Sequence, residues 1–162
     1  MQPPNQTLVR SAGLAAVLLT AGLFLLHTRS APIAAAAEPP YPVTVFPHAR
    51  VAAGFRKGGI LFQDPKRNYQ VHTSRRERPG EPELHELDTD LFYIQEGSAT
   101  FITGGTIVNP REDGPHEVTG TRIQGGTPHK LTKGDVIIIP RNTPHWFRDV
   151  SGTFTYYTIK VR

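Results

Sequence analysis

Glycine and proline divide this chain into short segments, and this punctuation constrains the fold more than any other feature of the sequence. The chain has 15 of each among 162 residues. Between them lie runs rich in Val, Ile, Thr, Phe and Tyr. Eight of these runs are strand-like: 59–62, 69–74, 91–95, 98–103, 121–124, 135–140, 145–150 and 154–161. Short strands separated by turns predict an all-β sandwich or barrel.

Three segments differ from this pattern. Residues 47–59 are predicted to form a short helix that begins near Pro47 and ends at the glycine pair 58–59. Residues 64–69 and 109–120 contain turn-forming residues and are predicted to be loops.

The first 37 residues are predicted to form a signal peptide. The apolar run 12–26 has 15 residues and no charge, which is shorter than the about 20 residues that a spanning helix needs. A small-x-small site at Ala35 and Ala37 predicts cleavage before Glu38 and a periplasmic or secreted location. An uncleaved N-terminal anchor is the alternative. After cleavage, no stable membrane insertion is expected.

The charge and cysteine content exclude several classes of function. Without Arg10 and Arg29, the mature chain would have 16 basic and 14 acidic residues, a net charge of +2. So small a surplus gives no reason to expect a nucleic-acid partner. The chain has no cysteine, which excludes disulfides, thiolate catalysis and cysteine metal sites.

The segment 82–101 places a histidine and several carboxylates at the start of a strand. Side chains alternate along a strand, so Glu83 and His85 share a face. Asp90 shares a face with two apolar residues at positions 92 and 94, and that face is predicted to be the interior. A buried carboxylate is costly unless it is paired, hydrogen-bonded or bound to a cation. This placement therefore predicts a ligand or a partner for Asp90.

A second segment, 133–147, predicts where another histidine lies. A turn at Gly134, a buried strand that ends at Pro140 and a further turn deliver His145 to the start of the next strand. In a barrel, His145 and His85 can face the same interior.

The spacing of these residues resembles that of the cupins, small β-barrels with two signature motifs. Those motifs read G-x5-H-x-H-x3,4-E-x6-G and G-x5-P-x-G-x2-H-x3-N. This chain has the matching positions Glu83-x-His85-x4-Asp90-x6-Gly97 and Gly134-x5-Pro140-x-Asn142-x2-His145.

Five positions depart from the cupin pattern in chemistry or place. Glu83 stands where the first histidine is expected, and Asp90 replaces the glutamate. Asn142 replaces a turn glycine, and Asp149 replaces the last asparagine. Gly80 lies nearer to the motif than its first glycine should.

The resemblance implies an all-β fold with a single cupin barrel, also called a double-stranded β-helix or jelly roll. The barrel would comprise residues 65–162, after an N-terminal arm, 38–64, that contains the short helix. Segment 41–63 could also supply an edge strand for a homodimer or a helix that covers the outer face of the barrel.

By the same resemblance, a divalent metal would be bound by Glu83, His85, Asp90 and His145. Two imidazoles and two carboxylates suit Fe, Mn, Zn or Ni better than Cu(I). If Asp90, one methylene shorter than glutamate, does not reach the ion, two histidines and one carboxylate remain, as in non-haem iron sites. A solvated acidic face for Glu83 and a turn-capping role for Asp90 are the alternatives.

His72, on the strand before the first motif, is the predicted catalytic acid–base group, and a hydrogen-bonded structural histidine is the alternative. Arg75 or Arg76 could receive a carboxylate substrate. Three functions remain possible. The first is a metal-dependent enzyme that acts on a small organic molecule by dioxygenase-like, isomerase-like or lyase-like chemistry. The second is a module that binds a small ligand without turnover, and the third is a structural barrel.

Overall fold

The computed structural model describes residues 41–162. The predicted signal peptide and the first residues of the predicted arm lie outside this part of the chain. Residues Val43–Arg162 form one compact unit. In the described residues, no helix is long and apolar enough to cross a bilayer.

One helix and eleven strands make up the described part of the chain. The helix, α1, spans His48–Lys57. The strands in chain order are β1 Gly59–Gln63, β2 Tyr69–Arg76, β3 Glu83–His85, β4 Thr89–Thr103, β5 Thr106–Val108, β6 Arg111–Glu112, β7 Glu117–Thr119, β8 Arg122–Gln124, β9 Thr127–Thr132, β10 Val136–Ile139 and β11 His145–Val161.

Two long strands, β4 and β11, hold the sheet together. They pair antiparallel along nearly their whole length, and each joins two runs that the sequence shows as separate strands. Strand β11 also pairs with β2, and β2 pairs with β1. The first residue of β11 pairs with β3, which continues the sheet through β7 to β6. Strands β9 and β10 pair with β4, while β5 and β8 form a separate two-stranded sheet. Every pairing is antiparallel, so the predicted all-β fold is confirmed.

Gly97 changes which side chains of β4 face the core. Before it, Phe92 and Ile94 are buried at even positions, as the sequence predicts; after it, Phe101 is buried at an odd position. The φ of Gly97 is 83°, and a Cβ there would lie 2.4 Å from the carbonyl oxygen of Thr153. Only glycine fits this close approach without a shift of the backbone.

The core is largely aromatic and fills the space that the curved sheet encloses. Its buried members are Phe92, Ile94, Ala99, Phe101, Leu131, Ile139, Phe147, Phe154 and Tyr156. A second, smaller cluster of Ile102, Ile107 and Ile123 lies under the β5–β8 sheet. The rings of Phe101 and Phe147 lie with centroids 4.5 Å apart. The ring centroids of Phe101 and His145 are 5.8 Å apart. The first cluster therefore borders His145, one of the predicted metal ligands.

Helix α1 packs on the outer face of the sheet, and its position matches the predicted short helix. Phe55 makes an edge-on contact with Tyr157, with centroids 4.8 Å apart. Gly54 lies so close to Thr73 that a Cβ would be 2.5 Å from its hydroxyl oxygen. The helix ends at Lys57 and is capped by Gly58, whose φ is 73°. The next strand, β1, lies before residue 65 and pairs with β2.

We expect Phe101→Ala to lower the free energy of unfolding by about 3–5 kcal/mol, because it opens a cavity at a fully buried ring. For a domain of this size, the melting temperature should fall by about 10 to 15 °C. Tyr93→Ala on the same strand is the control, since Tyr93 is 40% exposed and should cost about 1 kcal/mol or less. Thermal unfolding followed by circular dichroism measures both, and equal losses would contradict the assigned core.

Candidate metal centre

Two strand ends and one turn bring the predicted site residues together. Glu83 and His85 are the first and last residues of β3, and Glu83 pairs with His145 at the start of β11. The turn before His145 contains Asn142, whose φ is 62° and whose N–H donates to the carbonyl of His85 at 2.8 Å. Asparagine tolerates this left-handed conformation better than most residues, so it can stand where the cupin pattern has glycine.

His85 is buried and fixed by a carboxylate. Its Nδ1 makes a short hydrogen bond with Oε2 of Glu117 on β7, which lies opposite His85 in the strand register. An ionised carboxylate only accepts hydrogen bonds, so Nδ1 carries the proton. Among residues 41–162, the buried Nε2 atom of His85 has no hydrogen-bond partner.

His145 is also buried, and the backbone fixes its ring. Its Nδ1 donates to the carbonyl oxygen of Thr143 at 2.9 Å, so Nε2 carries the lone pair of a neutral ring. That Nε2 atom is buried and has no hydrogen-bond partner in the described part of the chain. Burial disfavours the imidazolium and lowers the pKa of His145 below its ordinary value. The centroids of the His85 and His145 rings are 5.1 Å apart.

Glu83 completes a cluster of three potential ligands. Its Oε2 lies 3.7 Å from Nε2 of His85 and 3.9 Å from Nε2 of His145. The three ligand atoms all lie within 4.8 Å of one another. Two atoms bound to one ion at about 2.1 Å cannot be more than about 4.2 Å apart. Both Glu83 distances therefore fit a shared ion.

Arg76 holds the other oxygen of Glu83. Its Nη2 lies 3.4 Å from Oε1 of Glu83, and its Nε donates to the hydroxyl of Tyr156 at 2.9 Å. The guanidinium carbon lies 4.8 Å from the centre of the Phe147 ring. The contacts with Tyr156 and Phe147 hold Arg76 in place, and Arg76 in turn restricts where the Glu83 carboxylate can point. The Glu83 side chain is 41% exposed.

Asp90 lies beside the three-residue cluster and outside it. Its side chain is 2% exposed, with Oδ2 3.3 Å from Nε2 of His85 and Oδ1 3.2 Å from Nζ of Lys160. Burial would raise the pKa of Asp90, but the close contact with the His85 ring and the charge of Lys160 outweigh it and lower that pKa. The Asp90 carboxylate is therefore ionised at neutral pH.

The surroundings of His85 require a positive charge. Its Nε2 faces Glu83 and Asp90, and with the proton on Nδ1 it would present a lone pair to two carboxylate oxygens. Burial opposes ionisation of His85, but Asp90 and Glu117 outweigh it and raise its pKa. A second proton on the ring or a metal cation at Nε2 would each satisfy this arrangement.

A cavity of about 160 Å³ opens beside these residues. His72 on β2 lines it, together with Ser74 and Arg76. The Nε2 atom of His72 is hydrogen-bonded to Gln70 at 3.0 Å. Burial and the nearby charge of Lys160 lower the pKa of His72, so its ring is neutral at neutral pH. A catalytic role for His72 stays a prediction.

The structure brings the predicted residues Glu83, His85 and His145 into one cluster. Whether they and Asp90 bind a metal stays a prediction. Sequence reasoning missed Glu117, because it lies in the segment 109–120 that was predicted to be a loop; that prediction was wrong for β6 and β7. Strands of two and three residues give too little pattern to detect. Lys160 was not placed either, because the sequence left open which face of β11 it occupies.

No protein-family model matches this sequence, and no curated protein does. Solved structures do resemble the chain. The structure of BH2720 from Bacillus halodurans has 17% identity and a TM-score of 0.50, over 75% of this chain and 82% of that one. A cupin 2 conserved barrel domain protein from Rhodopseudomonas palustris has 18% identity and a TM-score of 0.45, over 64% of this chain. The DMSP lyase DddQ from Ruegeria pomeroyi DSS-3 has 14% identity and a TM-score of 0.46, over 65% of this chain.

This chain spans 59% of the Rhodopseudomonas protein and 46% of the Ruegeria protein. At these identities the likeness concerns the fold alone. The antiparallel architecture, with its one short helix and aromatic core, is consistent with the predicted single cupin β-barrel.

Proposed function

We propose that this chain is an exported single-domain cupin that binds a divalent metal inside its barrel and acts as a metal-dependent enzyme on a small organic molecule. The proposed ligands are Glu83, His85 and His145. The reaction classes that this site suits are dioxygenase-like oxidation and isomerase- or lyase-like rearrangement.

One observation carries the proposal: two buried imidazole Nε2 atoms converge on a carboxylate, and neither has a hydrogen-bond partner among residues 41–162. Buried polar atoms are nearly always satisfied. Both rings donate from Nδ1 to an oxygen acceptor, and this orients both Nε2 atoms toward the same point. The second nitrogen of a ligating histidine is anchored in the same way in many metal sites.

The donor set limits the identity of the metal. Imidazole nitrogen and carboxylate oxygen suit Fe(II), Mn(II), Zn(II) and Ni(II), and the chain offers no thiolate that would favour Cu(I). Two histidines with one carboxylate leave coordination positions for a substrate or for oxygen. When bound, such an ion supplies Lewis acidity or a centre that binds oxygen.

The chain's own residues would shape the reaction in three ways. Arg76 fixes the carboxylate of Glu83, and Glu117 fixes the ring of His85. Phe92 and Phe147 form an apolar wall of the cavity that limits the access of water. His72 donates through Nε2 to Gln70, so its Nδ1 carries the lone pair and can accept a proton from a bound molecule.

A second candidate function is a module that binds a small ligand without turnover. The charged groups of the cavity favour it, because Arg76 is paired with Glu83 and Lys160 with Asp90. Paired groups of this kind can recognise a ligand without transferring a proton. Recovery of a bound ligand unchanged from the metal-loaded protein would support this function over an enzyme.

Export is proposed from the sequence of residues 1–37, which lie outside the described residues. Support comes from the charge-free apolar run and the small-x-small site before Glu38.

We expect the purified protein, produced without a metal-binding tag, to contain about one equivalent of Fe, Mn, Zn or Ni and to lose it in His85→Ala/His145→Ala. A ligand that binds only the folded state adds RT ln(1 + [L]/Kd) to stability, about 2.7 kcal/mol when its concentration is 100 Kd. Removal of the metal by a chelator should therefore lower the melting temperature by about 10 °C. Elemental analysis and thermal unfolding measure the two effects.

His48→Ala/His129→Ala is the matched control, since His48 is exposed on α1, His129 is hydrogen-bonded to Thr103, and neither belongs to the cluster. The control should keep its metal. A wild-type protein without metal after reloading, or equal metal loss in both double variants, would contradict the proposed site.

We expect Glu117→Gln to weaken metal binding by about 10- to 100-fold, because a neutral amide oxygen accepts a weaker hydrogen bond from Nδ1 of His85 and leaves its Nε2 less basic. Glu112→Gln on the adjacent strand is the control, because Glu112 is exposed. Competition with a chromogenic chelator gives both dissociation constants. Equal affinities in the two variants would show that the contact between Glu117 and His85 does not support a metal site.

We expect the protein produced in a Gram-negative host to accumulate in the periplasm with Glu38 as its first residue. N-terminal sequencing of the periplasmic fraction tests this, with an Ala35→Leu/Ala37→Leu variant as the uncleaved control. A protein that begins at Met1 and sediments with membranes would favour the alternative anchor.

A further inference from the structure

We propose that Lys160 keeps Asp90 from binding the metal, so that the ion is held by Glu83, His85 and His145 alone. This inference rests on the proposed metal site. It assigns Asp90 a different role from the fourth ligand that the cupin resemblance implies.

The strand register fixes the contact between Lys160 and Asp90. The two residues are direct partners in the pairing of β4 with β11, so their side chains project from adjacent points on one face of the sheet. Asp90 is buried and the Lys160 side chain is only 19% exposed. Both side chains line the cavity beside the proposed ligands.

The two oxygens of Asp90 already face different cationic or polar groups. Oδ1 lies 3.2 Å from Nζ of Lys160, and Oδ2 lies 3.3 Å from Nε2 of His85. The carboxylate stays outside the cluster in which Glu83, His85 and His145 bring their ligand atoms within 4.8 Å of one another.

Coordination of Asp90 would be electrostatically unfavourable for Lys160. If the carboxylate gave its charge to a divalent cation, the buried ammonium would lose its counter-ion and would lie close to that cation. Nζ has no hydrogen-bond partner in the part of the chain that the structure describes, so Asp90 is its principal stabilising contact. A buried charge that loses its partner is strongly destabilising.

A site with three ligands has a functional consequence. Were Asp90 a fourth ligand, the ion would have one position fewer for a substrate. With Asp90 held by Lys160, the positions that the three ligands leave are available to molecules in the cavity, which Lys160 and His145 both line.

Titration with Co²⁺ of the wild type, of Lys160→Met and of Asp90→Asn/Lys160→Met tests this inference. We expect the double variant to bind Co²⁺ within about tenfold of the wild type and with the same visible spectrum, because it replaces a buried ion pair as a unit. Lys160→Met should bind more than about tenfold tighter, since Asp90 is released to the ion and a nearby positive charge is removed. Its spectrum should change, which loss of a remote charge alone would not cause.

Two further variants calibrate the titration. Glu83→Gln removes a proposed ligand and should weaken binding by more than about 100-fold, beyond the usual effect of an outer-shell residue. Lys130→Met removes an exposed lysine of β9 and should leave both affinity and spectrum unchanged.

The opposite results would overturn the inference. A double variant that loses affinity as Glu83→Gln does, with an altered spectrum, would show that Asp90 is a ligand in the wild type. An unchanged spectrum in Lys160→Met would show that Lys160 is not what excludes Asp90. A folded wild type that binds no Co²⁺ would instead overturn the metal site itself. If Lys160→Met fails to fold, the double variant decides, because it contains no unpaired charge at this place.

Discussion

The clustering of negative charge and lone pairs around His85 is the constraint on which the site depends. Glu83, Asp90 and Glu117 all approach one buried imidazole. Carboxylates so placed repel one another unless cations lie among them. Arg76 and Lys160 each pair with one of them, and the remaining charge would be balanced by a proton or a metal at Nε2. The aromatic core beside the site strengthens these interactions, because it keeps water away from one side.

The two long strands explain how residues far apart in sequence meet at this place. One strand, β11, begins with His145 and carries Lys160 near its end, so it supplies groups to the site from both of its halves. Its irregular register against β4 allows His145, at an odd position, and Lys160, at an even one, to face the same cavity. Gly97 makes the corresponding change in β4.

The sequence allowed the all-β fold, the helix near residues 47–59 and the interior placement of Asp90 to be predicted, because each depends on a local pattern. The spacing of the two motifs predicted that His85 and His145 would share an interior, and they do. The anchor of His85 could not be predicted, since the pairing of β7 with β3 joins segments about 30 residues apart through strands of three residues. The face of Lys160 was equally hidden, because irregular pairing between positions 147 and 156 shifts the alternation within β11.

The two histidines differ in how their rings are anchored, and this difference affects how the site can change over time. A substitution at Glu117 can loosen or reorient the His85 ring without a change in the backbone. The acceptor for His145 is the main-chain carbonyl of Thr143, which every amino acid at that position would supply. Single substitutions can therefore alter the orientation of the His85 ring by degrees. The His145 ring keeps its orientation unless the backbone of the turn before it changes.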